Sequence, residues 1–396
     1  MTATRVPHVP RPSRVSAALA ARFGSPALAP SVASHVLGRY GLSPKAGYRN
    51  LRLARRSLNL VVDTDRGPKV VKAYRRHWPA GSVQCGHSIL VGLEERGFPA
   101  VRLVRSPEGE TWTTVGAQRV AVFDFVRGTN YSISFLRRAD RLRLTQVAGR
   151  TLAGLHRCLD GFVPDGAHHL GFAAPTGPRR RDVDWHGAKL DELVRRSEAL
   201  TAPGTAGPHV APLLTRASYV LDELDRLERL LDGAAFPRVV VHGDYGLHNL
   251  LFPRPDLAVP VDFELARLDW RLFDLISVLG KHRYRGGHYD LESMATFLAA
   301  YAEELALTPD ERRLLPEAWR LYKLQAAVQY WSSYFETDGP VRKLASALDS
   351  IAQAEQVAEQ PAMIRRLAFA AGGTGGAACR PSWAMAGGNR RRGTGP

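Results

Sequence analysis

In the stretch VVVHGDYGLHNLLF, residues 239–252, Asp244 and Asn249 stand five positions apart. Thirteen residues beyond Asn249, the apolar run Leu257-Ala258-Val259-Pro260-Val261 ends in Asp262. The D-x-x-x-x-N spacing alone is turn composition, because both residue types are common in turns. A second aspartate at the end of a strand changes that reading, since three oxygen-bearing side chains can then converge on one place. The set suits a hard divalent cation held by a carboxylate and an amide, with another carboxylate to orient an attacking hydroxyl and accept its proton. Phosphoryl transfer from ATP with Mg2+ needs those parts. In those roles Asp244 is the base or hydroxyl positioner, and Asn249 and Asp262 hold the metal.

Such a site also needs a cation that reaches the phosphates from an earlier strand. Only 7 of the 54 basic residues are lysines, and one of them, Lys72, lies in PKVVKAYR, residues 68–75. The period of a strand puts Val70, Lys72 and Tyr74 on one face, with Lys69, Val71 and Ala73 on the other. A lysine set between valine and alanine in so arginine-rich a chain is informative, against the plainer reading of an edge-strand lysine facing water.

The elements that must position these residues fall into two groups. SLNLVVDT (57–64) and PKVVKAYR flank the turn Asp65-Arg66-Gly67 as a hairpin, and VRLVRS (101–106), TWTTV (111–115) and RVAVFDFV (119–126) bring the set to about five strands. A short helix is predicted over Ser31–Tyr40, and another over 82–97 with Gly97 at its C-cap. After Gly128 the character is helical, with amphipathic patterns at 140–159, 211–231, 289–306, 309–336 and 340–359. The segment GFAAPTGPRRRDVDWHG between the first two of these reads as a loop. The expected organisation is a flexible basic arm (1–30), a mostly β N-terminal lobe (31–127), a mostly helical lobe (128–360) and a disordered Gly/Ala/Arg tail (361–396).

Composition limits the alternatives. The formal charge is +16, but residues 1–30 and 371–396 each hold four arginines and no acid, so 16 − 4 − 4 leaves +8 on the body. No zinc-finger spacing and no basic stripe interleaved with aromatics accompanies that charge, so a nucleic-acid reading rests on charge alone. Three widely spaced cysteines without a CxxC argue against a disulfide framework or zinc. No apolar run approaches the roughly 18 residues of a spanning helix. The N-terminus does not look like a secretory signal. The expectation is a soluble, cytoplasmic protein.

HGDYGLHN (242–249), PVDFE (260–264) and FDL (273–275), preceded by VVKAYR (70–75), resemble the aminoglycoside phosphotransferase superfamily. That superfamily includes choline kinases and the bacterial homoserine kinases with a protein-kinase-like fold. LEERGFPAVRLV (93–104), VFDFVRG (122–128) and LAGLH (152–156) add to the likeness, which covers roughly residues 35 to 340. The resemblance implies an α+β, bilobal protein-kinase-like fold with ATP between the lobes, Mg2+ as cofactor and a small-molecule hydroxyl as acceptor. It implies that Ser57 and Asn59 lie over the phosphates, and that Phe123, Phe125 and Val126 line the adenine hinge. His242 would brace the catalytic loop, and Asp274 would anchor it.

Relatives of this kind carry a glutamate on the first-lobe helix, paired with the strand lysine; here that position falls on Gly86. Gln84 points to nearly the opposite side of the helix, and Glu94 lies about 80° round it. A nucleotide-binding protein without efficient turnover is therefore the alternative reading. A protein kinase fits less well, because the metal motif is D-F-E rather than D-F-G and no A-P-E segment follows. For a cationic acceptor the available acids are Asp182, Asp184, Asp191, Glu192 and Glu336, most of them interspersed with arginines, so the acceptor is left open.

Overall fold

The computed structural model describes residues 30–50, 58–132, 135–200, 206–283, 287–336 and 340–370. The backbone divides into two compact units, one formed by the chain up to Pro79 together with Val101–Val126, the other by Ala80–Ala100 and the chain from Arg127 onward.

The first unit opens with α1 (Pro30–Arg39) and contains an antiparallel sheet of β1 (Pro44–Asn50), β2 (Leu58–Thr64), β3 (Gly67–Ala73), β4 (Thr113–Val115) and β5 (Gln118–Asp124), ordered β1-β2-β3-β5-β4. Alternation along β2, β3 and β5 turns Leu60, Val62, Val71, Ala73, Val120 and Val122 to one face, against Ala33, Val36, Leu37 and Tyr40. β-branched residues suit such a half-buried pleated surface. Five strands were expected, but one lies elsewhere. Residues 101–106 form no strand; Val104 N–H donates to Val122 O at 2.8 Å and Asp124 N–H to Arg102 O at 3.0 Å. β4 is short and pairs only residues 118–120 of β5, so residues 102–104 take over beside the rest of that strand. The fifth strand is β1, whose PKAGYRN has no β-branched residue and is held by backbone pairing to β2.

The second unit begins with α2 (Ala80–Glu95) and continues with α3 (Arg138–Cys158), α4 (Val183–Glu198) and α5 (Gly207–Asp232). Four short strands follow, β6 (Arg238–Val241), β7 (Leu250–Arg254), β8 (Leu257–Pro260) and β9 (Arg267–Trp270), then α6 (Leu272–Leu279), α7 (Leu291–Glu304), α8 (Pro309–Glu336), α9 (Arg342–Glu359) and α10 (Pro361–Ala370). The expected loop at 171–187 ends early, because Asp182 accepts the backbone N–H of Trp185 at 3.0 Å and so starts α4. The expected tail from residue 361 begins with α10, whose Ile364 and Ala368 join the core. That core is built around α8, with Leu315, Trp319, Leu321, Leu324, Val328 and Trp331 buried. Among the described residues no helix is long and apolar enough to cross a membrane.

The short strands matter most for function. β6 pairs antiparallel with β9, and β7 with β8. The connections β6→β7 (242–249) and β8→β9 (261–266) therefore both run from one ladder to the other and must lie side by side.

A buried ion pair closes the same region. Arg271 Nε donates to Glu311 Oε1 at 2.6 Å, its Nη2 reaches Glu311 Oε2 and, at 2.8 Å, Ala306 O, and Thr308 N–H donates to Glu311 at 2.7 Å. Removing one partner of such a pair strands a charge in the core. Arg271→Met is expected to lower unfolding stability by about 3–5 kcal/mol, and adding Glu311→Leu to recover much of that loss. Urea midpoints of the single and double variants check it, and an unchanged midpoint for Arg271→Met would refute it.

Candidate active site

β6 is a run of valines with Val240 and Val241 buried, and it ends at His242. The next residue, Gly243, has φ 79°, and a Cβ there would lie 2.3 Å from Leu265 O, so only glycine lets the two loops approach this closely. His242 sits fully buried between them. Its Nδ1 accepts Asp244 N–H at 3.3 Å and its Nε2–H donates to Val261 O at 2.9 Å, which ties the two loops together through one neutral ring. Burial holds its pKa below the ordinary histidine value, although Asp274, Asp244 and Asp262 pull the other way.

The anchor is Asp274 in the first turn of α6. Its Oδ2 accepts His242 N–H at 2.6 Å and its Oδ1 accepts Gly243 N–H at 2.8 Å. His156 Nε2 adds a third bond at 3.2 Å, and that ring is set in turn by the Tyr301 hydroxyl, 2.8 Å from Nδ1. Burial pushes the Asp274 carboxyl up, but the hydrogen bond from His156, the electrostatic pull of the His156 and His242 rings and the His242 amide outweigh it, and its pKa lies below the usual aspartate value.

Asn249 closes the short helical turn 247–249. Its Nδ2 donates to Asp244 O at 3.0 Å, which leaves the amide oxygen as the end that can meet a cation, and its backbone O accepts Val261 N–H at 3.0 Å. Asp262 follows at once, with φ 67°, the one non-glycine residue in the left-handed region among the described residues. Such a conformation costs about 1–2 kcal/mol and is the kind of strain found at functional sites. Asp244, Asn249 and Asp262 are thus brought onto adjacent loops. Among the described residues no three His, Cys, Asp or Glu side chains form a metal cage. One amide oxygen and one carboxylate fit Mg2+ that is shared with phosphates, since that ion keeps waters and takes few protein ligands.

In the first unit, Lys72 lies on the face of β3 turned away from Val71 and Ala73, and it is 6% exposed. Its cross-strand neighbours are Asn59 on β2 and Ala121 on β5, and its Nζ lies 5.2 Å from the Tyr74 ring centre. Lys69, on the other face, is largely buried and paired with Asp124 at 2.6 Å. Among the described residues the Asn59 amide oxygen is buried without a hydrogen-bond donor. Phe123 is buried at the end of β5, while Phe125, whose N–H donates to Pro68 O at 3.3 Å, and Val126 are half-buried. Ser57 lies outside the described residues.

Sequence reasoning passed over Lys281. Its ammonium donates to Asp244 Oδ1 at 2.8 Å, Tyr245 O at 2.8 Å and Ser277 Oγ at 3.1 Å, using all three hydrogens. His248 Nε2 stands 3.7 Å from the same aspartate oxygen. The signal was present: Lys281 is another of the rare lysines and follows Asp274 and Ser277 at i+7 and i+4, the spacing of one helix face, in the turn just past the end of α6.

Gly86 has a packing reason. A Cβ on it would lie 2.8 Å from the carbonyl oxygen of Phe263, in the loop that carries Asp262. Next to it Cys85 Sγ lies 3.7 Å from Ala266 O. α2 thus presses its backbone against the loop that carries Asp262 where related chains are expected to place a glutamate, and Gln84 is exposed.

Residues 51–316 match the model of the phosphotransferase enzyme family. A homoserine kinase of Caulobacter sp. (strain K31) is 23% identical over 283 residues, 71% of this chain and 79% of that protein. Among solved structures, a microcompartment-associated aminopropanol kinase superposes with TM-score 0.59 at 21% identity, covering 85% of this chain and 99% of that one. The amicoumacin kinase hAmiN, in complex with AMP-PNP and Ca2+, gives TM-score 0.53 at 14% identity, covering 80% of this chain and 88% of that one. The fold is protein-kinase-like.

Two outcomes follow from this geometry. Alanine at an ordinary helical glycine gains about 1 kcal/mol, but Gly86→Ala is expected to lose about 1–3 kcal/mol by overpacking against Phe263; a raised melting temperature would refute the packing account. His169, His186 and His282 have pKa values pulled down to about 4 by burial, and burial also lowers those of His168 and His242. In the unfolded chain these rings take up protons near pH ~6.5 and in the fold they do not, so stability is present above that pH and declines below it. Asp274, with its lowered folded pKa, adds loss in the same direction at lower pH. Urea midpoints at three pH values between neutral and mildly acidic should fall steadily; equal midpoints would contradict the buried neutral rings.

Proposed function

The chain belongs to the phosphotransferase enzyme family, and from that premise we propose that it is an ATP- and Mg2+-dependent kinase that moves the γ-phosphoryl group to a hydroxyl of a small molecule. The observation that carries the reading is the pair of loops locked by His242, with Asp244 on one and Asp262 on the other. Names of relatives point the same way, since they are homoserine and amino-alcohol kinases.

In this reading Asp244 orients the acceptor hydroxyl and takes its proton as the new P–O bond forms and the bond to the leaving ADP oxygen breaks. Lys281 holds the Asp244 carboxylate in one rotamer through Oδ1. Asn249 and Asp262 hold Mg2+, which when bound neutralises charge on the phosphates. From the first unit, Lys72 contributes positive charge to the phosphates, Ser57 and Asn59 contribute polar contacts, and Phe123, Phe125 and Val126 an apolar edge for adenine. His242 and Asp274 act by positioning, through the loop backbone. A cytoplasmic setting fits an ATP user whose Cys85 and Cys158 are both unbridged.

The expected results are specific. Asp244→Asn should lower kcat by on the order of 10²–10⁴-fold, with nucleotide binding retained in calorimetry. Asp262→Asn and chelation of divalent ions should each abolish turnover. If ATP binds but the parent protein transfers no phosphoryl group to any hydroxyl compound, the chain is a non-catalytic nucleotide-binding protein and the kinase reading is wrong.

A further inference from the structure

The charges gathered around Asp244 are cationic. Lys281, at the end of α6, is saturated by Asp244, Tyr245 and Ser277. Arg283 follows two residues later, with Nη1 3.3 Å from Asp349 Oδ1 and Nε donating to Gly287 O at 3.1 Å. The third cation, Lys323, comes from α8. Its Nζ lies 2.8 Å from where a Cβ on Gly280 would be, and so against the backbone next to Lys281. Its neighbour Tyr322 feels the Asp244 charge and bonds Ser277; burial first, and then that charge, push its hydroxyl up to about 12. Both observations set this part of α8 beside the catalytic aspartate.

Lys323 differs from the other two cations. Lys323 is half-buried, and among the described residues its ammonium has no hydrogen bond or ion pair, only the Tyr322 ring at 5.8 Å. Its pKa is pulled down to about 8, by burial first and then by the charge of Lys281, with Arg283 adding to the effect and Asp349 opposing it. A cation so placed is short of negative charge, and an anion would relieve it.

Three of the five acids that could serve an ammonium-bearing acceptor are already engaged, and the other two stand in solvent. Asp182 caps α4, Glu192 pairs with Lys189 at 2.7 Å and Arg196 at 3.1 Å, and Glu336 pairs with Lys189 at 3.2 Å. Asp184 and Asp191 are exposed on the surface of α4.

We propose that this cationic corner selects the acceptor: the hydroxyl-bearing substrate carries an oxyanion, a carboxylate or a phosphate, which Lys323 binds while Asp244 receives the hydroxyl. The inference rests on the kinase reading and narrows it, because amino sugars and amino alcohols would bring a second cation to Lys323 at a repulsive cost.

The test offers the full chain ATP, Mg2+ and three groups of acceptors: hydroxy carboxylates, sugar phosphates, and amino alcohols with aminoglycosides. Product is read by mass spectrometry, with Asp244→Asn as the control. Asp244-dependent product from either oxyanion group supports the proposal, and the group that works identifies the oxyanion. Product from the cationic group alone overturns the proposal and leaves the kinase reading intact, while no product from any group overturns both. With the best acceptor, Lys323→Met should raise the acceptor KM by about tenfold or more, much further than the KM for ATP, and Lys323→Arg should restore most of it. An unchanged acceptor KM in Lys323→Met would overturn the assignment. A readout without a variant uses that acceptor lacking its hydroxyl: it should inhibit competitively with its oxyanion intact and lose that inhibition when the oxyanion is amidated, and equal inhibition by both forms would count against Lys323.

Discussion

A carboxylate removed from water is tolerated only when its lone pairs are met by donors, and Asp274 meets that condition with two backbone amides and an imidazole. Those amides belong to His242 and Gly243, immediately before Asp244, so the charge that must be satisfied inside the core is also what fixes the start of the loop that carries Asp244. His242 carries the constraint onward, from the Asp244 amide to the Val261 carbonyl, and Asp262 follows directly. One buried acid thus sets two loops, and both candidate metal ligands hang from them.

The strand ladders make the arrangement economical. β6 with β9 and β7 with β8 form two short antiparallel pairs, and each functional loop bridges from one pair to the other. Gly243 and Gly86 then allow backbone contact that any side chain would obstruct: the first brings the loops together, and the second brings α2 onto the loop of Asp262. The missing glutamate on α2 is in this light a packing solution in which Phe263 occupies the space beside the helix.

Much of the site could be read from residue types in order. Asp244, Asn249, Asp262, His242 and Asp274 lie within about thirty residues of chain, and each follows or opens an apolar segment whose period is plain. Lys281 escaped because its role depends on α6 ending at Leu279, so that the turn just beyond it brings Lys281 back over Ser277 and Asp244, a relation visible only once the helix bounds are known. The strand at 44–50 escaped for a related reason, since it has no β-branched residue and its pairing comes from β2. The segment 101–106 misled in the opposite sense: its composition suits a strand, but β4 leaves open only the part of β5 beyond Val120, and residues 102–104 meet that part through a single bridge.

By itself, then, the order of residues determined the two-part α+β architecture and the oxygen-donor loops, because hydrophobic period and short-range spacing are local properties of the chain. Tertiary structure decided which ammonium meets Asp244, which acids are already paired, and why residue 86 has no side chain. Those facts depend on distances between elements far apart in sequence, and no local pattern encodes the charge that a neighbour thirty or eighty positions away will bring.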